Sequence, residues 1–140
     1  MACSVKQDES ARLYGYSPEH IPEIWPAVEG FIDSTLLDNG HVTLENVYEN
    51  LLNKTFQLWT PYTDKIDAAV VTTIYNVRGR KNCTIISCGG TNMKDWIHLI
   101  SLIEDWARDN DCVQLKVYGR RGWARVLGMK VISTEMSKTL

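Results

Sequence analysis

The residues most able to do chemistry lie in the last third of the chain. Thr84-Ile85-Ile86-Ser87-Cys88-Gly89-Gly90 leads into an amphipathic segment, then Val113 to Tyr118, then Gly119-Arg120-Arg121-Gly122-Trp123-Ala124-Arg125-Val126-Leu127-Gly128. This reads as strand, glycine-bounded turn, helix, strand, basic turn and short helix. A parallel strand pair bridged by a helix sets the helix N-terminus beside a strand end, where α/β proteins receive phosphate-bearing ligands. The basic turn offers another chemistry. Arg120, Arg121, Trp123 and Arg125 combine guanidinium groups with a large aromatic, an anchor of the kind enriched at protein interfaces, and Arg78, Arg80 and Lys81 form a second basic turn. The competing explanation is that the arginines pair with carboxylates of the same fold while Trp123 packs inward.

The other reactive side chains exclude more than they suggest. The four cysteines, Cys3, Cys83, Cys88 and Cys112, have no C-x-x-C spacing, and three sit in or beside expected strands as small apolar residues. His20, His41 and His98 form no metal-binding pattern on a helix, so no metal site is expected. The net charge of −2 hides an asymmetry: residues 1–70 carry 4 basic and 11 acidic side chains, residues 71–140 carry 11 and 6. Such a split marks a basic face for an acidic partner, a route to self-association, or simply two solvated faces. Nucleic-acid binding is disfavoured by a pI near 5.9.

The elements that must position these residues follow from periodicity. At 140 residues and 44% apolar content, the chain supports one domain with its own core. No stretch reaches the length of a membrane span, and the polar N-terminus lacks a signal-peptide core, so a cytoplasmic protein is expected. Residues 1–16 read as an arm, in which Leu13, Tyr14 and Tyr16 are the groups able to pack on the body or on a neighbour. Ser17-Pro18 signals a helix start, and Pro22 and Pro26 place the main helix from one of them to Leu37, burying Ile21, Ile24, Trp25, Val28, Phe31, Ile32 and Leu36. Asp38-Asn39-Gly40-His41 ends it. Thr43, with Asn46 three residues on, starts a second helix.

From Thr55 the period changes to two. Phe56–Thr60, Ile66–Val77 and Asn82–Cys88 are expected to form an antiparallel meander. Residues 92–109 then place Trp96, Leu99, Ile100, Ile103, Trp106 and Ala107 on one helical face, with Asn92 and Asp95 as an N-cap pair. Strands at Val113–Tyr118 and Lys130–Met136 complete the pattern.

This order, over about Ser17 to Leu140, resembles the GNAT superfamily of N-acetyltransferases. "QLW" at 57–59, "CGGTNMKDW" at 88–96, "EDWARDNDC" at 104–112 and "GRRGWARVLG" at 119–128 look like a GNAT-like family carried by tailed bacteriophages and prophages. The resemblance implies an α/β (α+β) fold: one GNAT-like domain at 17–140, with a mixed, mostly antiparallel central sheet and helices on both faces. It also implies a virion or assembly role, with other phage proteins, host proteins or a second copy as partners, in the host cytoplasm or within the virion.

Catalytic members carry a Q/R-x-x-G-x-G/A loop whose backbone N–H groups hold the pyrophosphate of acetyl-CoA. Here the equivalent glycine positions fall at about Lys94 and Trp96. Gly89 and Gly90 are the only glycine pair left to expose Thr91, Asn92 and Met93 to an anion, with Lys94 assisting, unless they serve as a plain turn. The tyrosine such enzymes use as general acid has no equivalent after Leu127, and Tyr118 is the nearest substitute. No Asp, Glu or His lies between Val70 and Cys88, leaving Asp64 and Asp67 or a water chain as base. The expectation is therefore an interaction protein with a degenerate acetyl-CoA site and no required cofactor. The alternative is an acyl-CoA-dependent N-acetyltransferase acting on a protein or small amine.

Overall fold

The computed structural model describes residues 11–36, 42–117 and 138, and the backbone alone of residues 2–6. Among the described residues, six strands form one sheet in the order of the chain: β1 (Ala2–Lys6), β2 (Arg12–Tyr16), β3 (Phe56–Tyr62), β4 (Ala68–Val77), β5 (Arg80–Gly90) and β6 (Cys112–Val117). Each neighbouring pair is antiparallel except β5 with β6, which is parallel. Helices α1 (Ile21–Leu36) and α2 (Leu44–Leu52) connect β2 to β3. The crossover from β5 to β6 carries α3 (Met93–Trp96), a 3₁₀ turn at Ile97–Leu99 and α4 (Ile100–Asp109). The sheet is thus mixed and mostly antiparallel, as expected.

β4 explains the layering. Ala68, Ala69, Val70 and Val71 are each wholly buried, which a strand can only achieve when both sheet faces are covered. Ala68 and Val70 pack with Trp96, Leu99, Ile100 and Ile103 from the β5–β6 crossover. Ala69 and Val71 pack with Val28 and Ile32 of α1 and Val47 and Leu51 of α2. Aromatic contacts tie helices into each layer: Trp59 of β3 meets Trp106 of α4 edge-on at 5.0 Å, and Trp25 of α1 meets Tyr48 of α2 at 4.9 Å.

Local signals account for the ends of several elements. Thr43 and Asn46 form a reciprocal capping box, Asn46 N–H donating to Thr43 Oγ1 at 3.1 Å and Thr43 N–H to Asn46 Oδ1 at 3.3 Å. Arg78 (φ 53°) and Gly79 (φ 80°) make a tight two-residue turn with Val77 opposite Arg80, a backbone pattern suited to the twist of a hairpin. The basic turn is therefore shorter than the sequence suggests, and Arg80 and Lys81 belong to β5.

Two expectations are corrected and one is met. Within the arm expected over 1–16, the described residues belong to the sheet: 2–6 and 12–16 are paired strands, β2 adds to β3, and Ala11 and Leu13 are buried beside Trp59. Those contacts are made across some 45 residues of sequence, so local periodicity does not register them. A 3₁₀ turn at Pro18–His20 opens into α1 at Ile21, which meets the earlier of the two expected starts, about Pro22, and the helix runs through the exposed Pro26. The helix expected over 92–109 is broken, because Asn92 is left-handed (φ 56°) without a side-chain cap bond and residues 97–99 tighten into the 3₁₀ turn. The end expected at Asp38–His41 and the strand expected at Lys130–Met136 lie outside the described residues.

The contact of α1 with β5 depends on one missing side chain. A Cβ on Gly89 would stand 2.6 Å from both Phe31 O and Thr35 Cγ2, so Gly89→Ala is expected to cost about 2 kcal/mol through displacement of α1. Gly30, on the exposed side of α1, has nothing within 4 Å of such a Cβ, and Gly30→Ala should add up to about 1 kcal/mol through helix propensity. Urea unfolding of both variants beside the parent measures the pair.

Candidate functional site

The sheet brings three features to one corner at the end of β5. The first is a bulge. Val71 pairs with Ser87 but Thr72 pairs with Ile85, leaving Ile86 without a partner on β4. Ile86 and Ser87 consequently both serve the α1 side, Ile86 packing in that core and Ser87 sharing a 2.6 Å hydrogen bond with Thr35 of α1. A bulge leaves its extra residue unpaired and disrupts the ladder locally, here in the middle of a strand.

The second feature is the turn from Gly89 to Lys94. Gly90 faces β4 as closely as Gly89 faces α1: a Cβ there would lie 2.3 Å from Ala68 Cβ and 2.4 Å from Asp67 O. Packing within the chain therefore accounts for both glycines, and neither opens a cradle for phosphate. Thr91 N–H donates to Asp67 O at 2.8 Å and Asp95 N–H to Asn92 O at 2.8 Å, so two further donors of the turn are committed. Trp96 is 1% exposed and donates Nε1–H to Thr91 O at 2.7 Å, which makes it a core residue that clamps the turn from below. Thr91, Asn92, Met93, Lys94 and Asp95 are exposed. The first-turn N–H groups of Met93 and Lys94 have no acceptor within their helix, as at any helix start. With the Lys94 ammonium they are what the turn offers to an anion.

The third feature is Asp67, 0% exposed and directly before β4. Its carboxylate accepts from Thr63 Oγ1 at 2.7 Å and from Asn92 Nδ2 at 3.1 Å, and its N–H donates to Pro61 O at 3.0 Å. Of the two carboxylates considered as base, Asp67 is thus enclosed and bonded, whereas Asp64 is exposed on the β3–β4 turn, 3.3 Å from the Thr63 hydroxyl. A groove of about 410 Å³ opens beside the corner, lined by Pro26, Ala27, Gly30, Phe31 and Ser34 of α1 with Gly90 and Thr91.

The remaining candidates separate. Tyr118, Arg120, Arg121, Trp123 and Arg125 lie outside the described residues. Arg78 and Arg80 come together with Asn82, Gln114 and Lys116 around a smaller groove of about 230 Å³. Lys116 also sits 5.8 Å from the centre of the Tyr75 ring. Lys81, next along β5, instead reaches Asn110 O at 3.5 Å. Among the described residues no group of His, Cys, Asp and Glu is placed to hold a metal, and no helix is long and apolar enough to cross a membrane.

Sequence reasoning missed the Ile86 bulge and the reach of Asp67 to Asn92. The only hint of the second was a lone acidic residue directly before the apolar run Ala68–Val71. It also left unremarked Thr84, whose buried Oγ1 has no hydrogen-bond partner among the described residues.

Comparisons with known proteins place the architecture. No protein-family model matches the chain, and no curated protein matches it. Solved structures do. An aminoglycoside acetyltransferase from an uncultured soil metagenomic sample, in complex with sisomicin, superposes with a TM-score of 0.68 at 11% identity over 93% of this chain and 96% of its own. Glucosamine-6-phosphate N-acetyltransferase from Arabidopsis thaliana gives 0.63 at 14% identity over 94% and 99%. A predicted acetyltransferase with acetyl-CoA from Clostridium acetobutylicum gives 0.65 at 9% identity over 92% and 96%. The fold is that of the GNAT-type acetyltransferases.

The cysteines near the site are held as thiols. Burial pushes both Cys83 and Cys88 up to about 12, with the neighbouring Cys112 adding to the shift at Cys83. An unfolded chain releases these protons at the ordinary thiol value while the folded chain keeps them. Their stabilising effect is therefore complete below that value and is lost as pH rises toward about 12. The urea midpoint should fall between about pH 8 and about pH 11, and less steeply in Cys83→Ala.

Proposed function

We propose that this chain is an acyl-CoA-dependent N-acyltransferase whose diphosphate contact lies on the Met93–Lys94 side of the β5–α3 turn. The observation that carries this reading is the Ile86 bulge. It sits in the strand that pairs in parallel with β6 and leads straight to the turn, so an unladdered peptide, a groove and an anion-facing corner lie along one strand. Acetyl-CoA supplies the activated acyl thioester in such a reaction. The residues here would orient it: the peptide at the bulge toward a developing carbonyl charge, Lys94 and the first-turn amides toward the diphosphate. The groove along α1 would seat the amine. The packed glycine pair does not fit the role of phosphate cradle, so no part of the reading rests on it.

A second reading has its own observation. With Gly89 and Gly90 filled by the fold and Thr91 N–H committed to Asp67, the corner has lost donors that a tight diphosphate site uses. Arg78, Arg80 and Lys116 meanwhile gather on a separate groove suited to an acidic protein surface. The phage-type resemblance of the sequence points the same way, to an interaction or assembly protein that retains the fold without the chemistry.

Thermal unfolding with and without millimolar acetyl-CoA decides between them. Acetyl-CoA at roughly 100 times its dissociation constant should add about 2.7 kcal/mol and raise the midpoint by several degrees, and Lys94→Glu should abolish the rise. An unchanged midpoint in the parent protein rejects the transferase and leaves the interaction protein.

A further inference from the structure

The β5–α3 turn is not shaped by its own sequence alone. Asn92 holds a left-handed backbone (φ 56°) at the point where the strand becomes a helix, a conformation costly for any residue with a side chain but least so for Asn. It has no capping bond of the usual kind, and its side chain turns away from the helix to the carboxylate of Asp67, Nδ2 to Oδ1 at 3.1 Å. The other carboxylate oxygen is held by Thr63 at 2.7 Å, and the backbone oxygen of the same Asp67 accepts the N–H of Thr91 at 2.8 Å. A single buried residue just before β4 therefore grips two consecutive residues of the turn, through its main chain and its side chain. The carboxylate is itself fixed from the β3–β4 side.

We infer that Asp67 is the positioning residue of the β5–α3 turn: its carboxylate, oriented by Thr63, locks Asn92 left-handed and so sets the direction of the Met93 and Lys94 amides. Asp67 touches no reacting atom in this scheme and acts only through Asn92. That those amides face a coenzyme diphosphate rests on the transferase reading; that Asp67 sets their direction does not. A carboxylate suits the task better than an amide, because each oxygen accepts a charge-assisted bond and neither can present the wrong end. Burial strengthens both bonds and makes the loss of either partner expensive.

Amide hydrogen exchange on the folded protein, with coenzyme A binding as the second readout, tests the inference in a double-mutant cycle of Asp67→Asn and Asn92→Ala. Each single change should speed exchange at Asp95 N–H, which bonds Asn92 O, by about tenfold while leaving Val70 in β4 unaffected. The double variant should exchange no faster than the quicker single one, because both changes remove the same bond. The dissociation constant for coenzyme A should rise in the same non-additive way. Additive effects, or an Asp95 amide that Asn92→Ala leaves unchanged, overturn the inference. Asn92 is exposed, so that variant gives an answer even if Asp67→Asn does not fold. A parent protein that fails to bind coenzyme A sinks the transferase reading alone, and the exchange rates still decide the role of Asp67.

Discussion

Burial of β4 on both faces is the constraint from which the rest of the molecule follows. Four consecutive wholly buried residues, Ala68 to Val71, require apolar cover from two directions. The chain meets that demand by placing α1 and α2 on one face and the β5–β6 crossover on the other. The small side chains at 68 and 69 let both layers approach closely. At about 25 cal/mol per Å² of buried apolar surface, this double burial is a leading source of stability, and neither layer can be removed without exposing the strand that orders the other.

The close approach reaches its limit at the end of β5, where the backbone of α1 stands over Gly89 and that of β4 over Gly90. A glycine pair before a helix is commonly read as room for phosphate. Here the same residues give room to the protein itself, and the two uses exclude one another. With the glycines committed to packing, the turn takes its shape from Asp67, Asn92 and the indole of Trp96, three side chains whose bonds converge on residues 91 and 92. Leaving any of those buried polar atoms unpaired would cost about 1–3 kcal/mol, so the arrangement is retained as a set.

The sequence displays the elements and conceals the corner. The period-two runs over 56–60 and 66–77 and the helical stripe from Trp96 to Ala107 are legible because each is set by nearby residues facing a common core. Thr43 and Asn46 are legible for the same reason, their reciprocal bonds spanning three residues. The strand Arg12–Tyr16 is not, because its contacts lie with Thr60 and Trp59, far along the chain: Tyr16 and Thr60 share a 2.7 Å hydrogen bond across 44 positions. The left-handed Asn92 is hidden by the same distance, since the partner that permits it lies 25 residues earlier. The bulge at Ile86 carries no compositional mark at all. It arises where the register of β4 and β5 shifts between Val71 and Thr72, a property of the strand pair and not of the residue.

Charge completes the argument about the corner. A buried carboxylate next to a turn meant for an anion is unfavourable at any separation, yet Asp67 stands against that turn with both oxygens turned to donors of the protein. One of those bonds comes from Thr63 on the β3–β4 side and the other from Asn92 in the turn; both offset part of the charge projected toward Lys94, and burial keeps the carboxylate from water. On the transferase reading, an anion at this turn would meet the chain beyond Asn92, where Met93 and Lys94 are exposed and Asp67 is buried. That reading shifts the anion along the turn relative to the glycines, whose space is filled by the chain itself. That shift is the physical consequence of having spent the glycines on packing the two layers together.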